Sequence, residues 1–335
     1  MSVAEAEAEG GSRGWLRPLA SLALTAALCF VLLRRVDVRE LADWLVRVDR
    51  RYYAVYVVLS FAGLLARAFR YRLLLGRTVG FVPLALVTAA RNFLVDLLPA
   101  RIGSLSYVYL LTRRFGAPLD PVLSSFILTF LYDLLAMTVL LGVALVLELG
   151  RFEAGATLGI VTAIFAILVV AVFIRLAPSL RFAAARLHLV ARPWARSVAL
   201  RLDDVADEVE RSGGARQTVV LTALSVLIRL LKFAAYWSLL LGVVREHGLA
   251  AADLPFWKVF LGIAGAELSA TLPIHGIAGF GTYETAWALG FTRLGLSSRV
   301  AILSGFATHL LSQLYDYSVG LVALAIALAW SRRAA

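Results

Sequence analysis

Residues 121–147 read PVLSSFILTFLYDLLAMTVLLGVALVL, 27 consecutive positions carrying one charge, Asp133. A helix needs roughly 20 apolar residues to cross the hydrocarbon of a bilayer, so a run this long and this poor in charge belongs in lipid. Working outward, similar runs occupy about residues 16–34, 52–75, 156–176, 218–244 and 298–330, which with 120–148 makes six expected spans. The whole chain agrees: of 335 residues, 61% are hydrophobic and 16% charged, with a mean hydropathy of +0.84, against roughly 25% charged in a soluble domain. A soluble globule is excluded, because its surface would lack polar cover. The expected fold class is all-α, a polytopic helical membrane protein.

Two further apolar segments, 82–113 and 254–291, are each interrupted by a Leu-Pro pair followed by glycine: Leu98-Pro99 with Gly103, and Leu272-Pro273 with Gly276, Gly279 and Gly281. Proline removes a helical hydrogen bond and clashes with the preceding turn, so each segment should break into two half-helices. Broken backbone at membrane depth persists only where protein or a watery cavity covers it. Two re-entrant hairpins with tips near mid-membrane are therefore expected; the alternative in each case is a full span plus a short second one. Span 52–75, the first hairpin and span 120–148 would then run in the opposite sense to 218–244, the second hairpin and 298–330. A Leu-Tyr-Asp tripeptide recurs at 131–133 and 314–316. The pattern is that of inverted repeats, an architecture of alternating-access carriers.

The chain carries 33 Lys+Arg against 22 Asp+Glu, a net +11, and of the cations only Lys232 and Lys258 are lysine. Most stand just outside apolar runs and not in one basic stripe, so membrane orientation and anionic head groups account for them and nucleic acid does not. With the N-terminus inside, Arg67, Arg70, Arg72 and Arg77, the Arg113-Arg114 pair, the 175–216 loop and Arg332-Arg333 fall on the cytoplasmic side. The loop at 34–51 is the exception, its arginines interleaved with Asp37, Glu40, Asp43 and Asp49. Cys29 is the sole cysteine, which excludes an internal disulfide or a Cys-pair redox motif. No cofactor and no metal are expected.

Four regions follow: a disordered tail at 1–14, a first membrane region at 15–176 containing hairpin 82–113, a cytoplasmic amphipathic linker at 177–217, and a second membrane repeat at 218–331 containing hairpin 254–291. The linker alternates arginine and apolar residues from Arg181 to Arg196 and ends acidic at Asp203, Asp204, Asp207, Glu208 and Glu210. It reads either as a surface helix or as a solvated connection.

Charges inside the spans are the informative ones, since each costs roughly 3 kcal/mol at a helix centre. They must pair or line a hydrated cavity. Arg91, Asn92, Asp96 and Arg101 lie on the first hairpin, Asp133 on the next span, Arg229 and Lys232 on 218–244, Glu267, His275 and Glu284 on the second hairpin, and His309, Gln313 and Asp316 on the last span. Arg91 and Arg101 flank the first tip, where guanidinium forks match a phosphate; equally, they are free to pair with Asp96 and Asp133. Gly279 and Gly281 let backbone N–H groups approach an anion, or simply make a tight bend. His275 is able to couple a proton or to act as an ordinary hydrogen-bonder. His309, Gln313 and Asp316, spaced by four and three, share one helix face, which reads as substrate path or interhelical glue.

Asn92, then Leu98-Pro99-Ala100-Arg101-Ile102-Gly103, then Asp133, with the Leu-Pro and Gly-x-Gly-x-x-Glu stretch ending at Glu284, resemble the lysylphosphatidylglycerol synthase transmembrane region family of flippase-like membrane proteins. The resemblance covers nearly the whole chain. It implies an inner-membrane protein related to the lipid-flipping half of bacterial aminoacyl-phospholipid synthases, with Arg101 and Glu284 at motif positions lining the lipid path. The chain departs from the family pattern at Ser104 and Phe130, where an acid and a base often stand. Because the chain ends soon after its last span, it is not expected to synthesise an aminoacyl lipid by itself.

No Gly-x-Ser-x-Gly elbow, His-Glu-x-x-His pair or phosphate-binding nucleotide loop appears, so no enzyme activity is expected. The expected function is a carrier moving a phosphate-bearing lipid, a phospholipid or polyprenyl-phosphate conjugate, across the bacterial inner membrane. Its substrate-binding residues would be Arg91, Asn92, Arg101, Asp133, His275, Gly279, Gly281, Glu284 and His309. The alternative is a non-transporting subunit that presents a lipid to a separate glycosyl- or aminoacyl-transferase. Expected partners are the anionic or polyprenyl-phosphate lipid, the membrane, and a membrane-bound transferase or a second copy of the chain.

Overall fold

The computed structural model describes residues 38–76, 78–148, 155–190, 192–211, 214–269 and 280–330. The expected tail and the span at 16–34 lie outside the described residues. Among the described residues every regular element is helical: α1 (Val38–Val46), α2 (Arg50–Leu75), α3 (Phe81–Leu97), a 3-10 turn (Pro99–Leu105), α4 (Ser106–Arg113), α5 (Leu119–Glu148), α6 (Gly155–His188), α7 (Pro193–Arg211), α8 (Ala215–Val244), a second 3-10 turn (Arg245–His247), α9 (Phe256–Ser269), α10 (Thr282–Arg293) and α11 (Ser298–Trp330).

Segments α2, α5, α11 and 216–247 are long and apolar enough to cross a membrane, and α6, bent by 48° between Val172 and Ile174, makes a fifth if taken as one span. These match the runs read at 52–75, 120–148, 298–330, 218–244 and 156–176. Their outward faces stay apolar: Val146 on α5, Ile160 and Ile167 on α6 and Val219 on α8 are exposed, which suits a lipid environment. Pro121 sits in the first turn of α5, where its missing N–H has no helical partner to lose. Pro193 likewise opens α7.

The Leu98-Pro99 break is present, since α3 stops at Leu97 and the chain tightens into the first 3-10 turn. Gly103 is required there: a Cβ on it would collide with the Leu94 carbonyl, so any side chain would push the turn off the end of α3. Helix α6 runs on past residue 177 to His188. At about 1.5 Å per residue it reaches well beyond roughly 30 Å of hydrocarbon, and its end is tied to α7 by Arg181 with Asp207 (2.9 Å) and Glu210 (2.7 Å) and by His188 with Asp203 (3.2 Å).

The chain divides into two compact units. Among the described residues, the first comprises those within 38–57, 91–104 and 234–321, the second those within 58–90, 105–233 and 322–330. In the first, Trp44 stacks on His247 at 3.6 Å, Arg299 grips Glu40 with a two-nitrogen fork, and buried Tyr56 meets Tyr236 and Tyr315 edge-on. Helices α9 and α10 form an antiparallel pair: Ser269 reaches the Thr282 carbonyl at 3.4 Å at one end, and Gly262 faces the Phe291 ring at the other. A Cβ on Gly262 would lie 2.8 Å from that ring. Gly262→Val is therefore expected to cost about 1–3 kcal/mol through overpacking, whereas Gly265→Ala, which meets open space, should be neutral or slightly stabilising. Thermal denaturation of the purified protein in detergent separates the two.

In the second unit, Ala68, Tyr71 and Leu75 of α2 pack with Leu84 and Val87 of α3, Tyr107 and Leu111 of α4 and Val122 of α5. Tyr71 stacks on Tyr107 at 4.3 Å, and the Tyr107 hydroxyl meets Ser125 Oγ at 2.9 Å. Leu128 and Tyr132 of α5 join Leu74, Ala177, Val205, Ala206, Val209 and Leu221 in a neighbouring cluster.

Candidate functional site

Among the described residues, each unit holds a buried cluster of charged and polar side chains. In the second, Asp133 stands midway along the 30-residue α5 and Arg229 midway along the 30-residue α8. Arg70 of α2 is 1% exposed. One of its guanidinium nitrogens donates to Asp133 Oδ1 at 2.6 Å and to Ser225 Oγ at 2.7 Å, and the Ser225 hydroxyl donates in turn to the Leu221 carbonyl. Arg229 approaches the other carboxylate oxygen at 3.5 Å, too far for a hydrogen bond. Arg67, three residues before Arg70 on α2, is a further electrostatic neighbour of Asp133. One carboxylate is thus shared by two guanidiniums, with a third cation nearby.

This corrects the reading of Arg70 as a cytoplasmic flank. Four arginines in eleven residues look like a flank, but Arg70 points into the unit because Asp133 and Ser225 sit opposite it. The charged partners that Asp133 takes are Arg70 and Arg229.

In the first unit, Gly281 (φ +87°) caps α10, and its N–H donates to Glu284 Oε2 at 2.7 Å. The positive φ suits glycine there. Trp287, one turn beyond Glu284, fits over Gly305 of α11, where a Cβ would be 2.9 Å from the ring, and its indole N–H donates to Ser304 Oγ at 3.3 Å. That packing sets Glu284 opposite His309, one turn beyond Gly305. The Glu284 side chain is 0% exposed and accepts from His309 Nδ1. His309 Nε2 lies 2.8 Å from the Gln313 amide nitrogen. With the amide donating, Nε2 is an acceptor and the proton sits on Nδ1, so the bonding shown is that of a neutral imidazole beside a carboxylate. The rings of Phe280 and Tyr283 lie 4.6 and 4.7 Å from the imidazole and screen it from water.

Residues 19–331 match the family model of the lysylphosphatidylglycerol synthase TM region. The chain belongs to this family. Comparison with curated proteins finds no match. As a lysylphosphatidylglycerol synthase TM-region protein it is a multi-pass membrane protein, in keeping with its apolar helices.

Against that family frame, the structure brings Gly281, Glu284 and His309 together and adds Gln313. Arg91 and Asn92 are half-buried on α3, in the stretch that belongs to the first unit, where Phe93 meets Tyr317 edge-on at 5.4 Å. Asp133 belongs to the second unit. His275, Gly279 and the Arg101 side chain lie outside the described residues. Sequence reasoning missed Arg70 as a site residue, and the only signal available was its place inside a helix that continues through Tyr71 to Leu75.

Proposed function

We propose that this protein is a carrier that moves a phosphate-bearing lipid across the bacterial inner membrane, built as six spans and two re-entrant hairpins in inverted repeats. The observation that carries the reading is Asp133 between the guanidiniums of Arg70 and Arg229, with Asp133 and Arg229 halfway along long apolar helices. Arg70 is the structural partner, at hydrogen-bond distance. Arg229, at 3.5 Å and 19% exposed, is the group a phosphate oxygen can take from the carboxylate. Arg91, Asn92 and Arg101 of the first hairpin are likewise head-group ligands in this reading.

The hairpin assignment draws support from length. Helix α9 has 14 residues and α10 has 12, about 21 and 18 Å, too short for either to cross roughly 30 Å of hydrocarbon alone. The reading is of a carrier and not a catalyst: His309 Nε2, the atom from which an imidazole would activate a hydroxyl in a hydrolase triad, faces the Gln313 amide.

In proteoliposomes with head-group-labelled phospholipid, Arg229→Gln and Arg101→Ala should each slow translocation about 10–100-fold, the effect of losing one or two charge-assisted hydrogen bonds, with the variants still eluting as folded protein. Unchanged rates would remove the phosphate site. No translocation by the wild type, together with copurification of a transferase, would favour the lipid-presenting subunit.

A further inference from the structure

We infer that the Glu284–His309–Gln313 chain is a proton-binding site that couples lipid movement to a proton gradient. The inference rests on the carrier reading above for its consequence, but on separate geometry for the site.

Glu284 is wholly out of water and, in the bonding shown, carries a negative charge whose partners among the described residues include one backbone N–H and a neutral imidazole. A buried charge without a full counter-charge is costly. One proton added at His309 Nε2 makes the pair an imidazolium with a carboxylate and brings its net charge from −1 to zero. The site has a ready acceptor for that proton. When the Gln313 side-chain amide turns over, its carbonyl replaces its NH2 opposite Nε2 and accepts from the newly protonated nitrogen. The two states therefore differ by one proton and one amide rotation, and both keep Glu284 bonded to Gly281 and His309.

The titratable groups around the pair are named by the same geometry. Tyr283 lies against the imidazole, and its buried hydroxyl has Tyr236 of α8, Glu267 of α9 and Glu284 as electrostatic neighbours. Asp316 of α11, Asp96 of α3 and Glu267 act on Tyr236 in turn. The acids thus belong to four different elements. The pair borders a set of tyrosines and acids drawn from α3, α8, α9, α10 and α11 of the first unit, the kind of surroundings through which a coupling ion biases one arrangement of helices over another. Proton balance is simple: one proton enters Nε2 from water on one side and leaves to water on the other, with no covalent step.

The test uses the full chain. With His188, His247 and His275 replaced by glutamine, His309 is the only histidine, and 15N NMR in lipid nanodiscs reads its protonation directly. Between pH 8 and pH 5 the neutral Nδ1–H pattern should give way to the imidazolium pattern. A neutral pattern across that range overturns the site. In proteoliposomes holding labelled phospholipid, a pH gradient of one unit should shift the ratio of inward to outward movement by up to about tenfold for one proton per lipid. In His309→Gln that ratio should stay at one at whatever rate the variant retains. A gradient response kept by His309→Gln overturns the coupling. Titration of His309 with no lipid movement under any gradient overturns the carrier reading and leaves the proton site standing.

Discussion

Asp133→Leu is expected to destabilise the protein by about 3–5 kcal/mol, the usual cost of removing one partner from a buried ion pair, read as a fall in Tm of the purified protein in detergent. The size follows from Arg70. Its guanidinium has almost no contact with water, its Nε makes no hydrogen bond among the described residues, and the carboxylate is the only negative charge that its own hydrogen bonds reach. Removing Asp133 strands that charge beside Ser225, whose hydroxyl is already turned to the Leu221 carbonyl. The double change Arg70→Met with Asp133→Leu removes the more deeply buried of the charges left behind and fills similar volume, while Arg229 still loses Asp133, so part of the lost stability should return, as replacement of buried ion pairs by apolar side chains generally allows. The coupling in that cycle should reach about 2–3 kcal/mol. Additive single effects would mean that the 2.6 Å contact holds nothing together.

The cycle also shows where the sequence is readable and where it is not. Helices α2, α5, α8 and α11 are legible because hydropathy over 20 or so residues is a local property, and the break after Leu97 is legible because proline acts on its own turn. The face shared by His309 and Gln313 follows from a spacing of four. What pairs across helices is not local. Nothing near Asp133 says that its hydrogen-bonding partner lies 63 residues earlier, within what reads as a basic flank, and nothing near His309 says that Glu284, 25 residues back, is its acceptor. Those partners are chosen by tertiary packing, such as Trp287 seated over Gly305.

Glu284 gives the second large effect, and the two substitutions that test it should diverge. Glu284→Leu leaves the Gly281 N–H at the start of α10 and the His309 Nδ1–H buried without acceptors. Each lost bond to a charged group accounts for about 1.5–3 kcal/mol, so a loss of about 3–6 kcal/mol is expected. Glu284→Gln is different, because an amide is able to keep the chain intact by running it backwards. Its carbonyl accepts from Gly281, its NH2 donates to His309 Nδ1, the proton moves to Nε2, and Gln313 turns over to accept it. The bonds that run from Gly281 through Glu284 and His309 to Gln313 are then all remade, and the cost should stay within about 1 kcal/mol. The tautomer of His309 should switch from Nδ1–H to Nε2–H, which 15N NMR of the sole-histidine protein distinguishes. If Glu284→Gln is as damaging as Glu284→Leu, or His309 keeps its proton on Nδ1 in that variant, Gln313 does not turn over and the chain is a fixed structural cap. Reversal of the tautomer at little cost in stability would establish that all three side chains move as one switch.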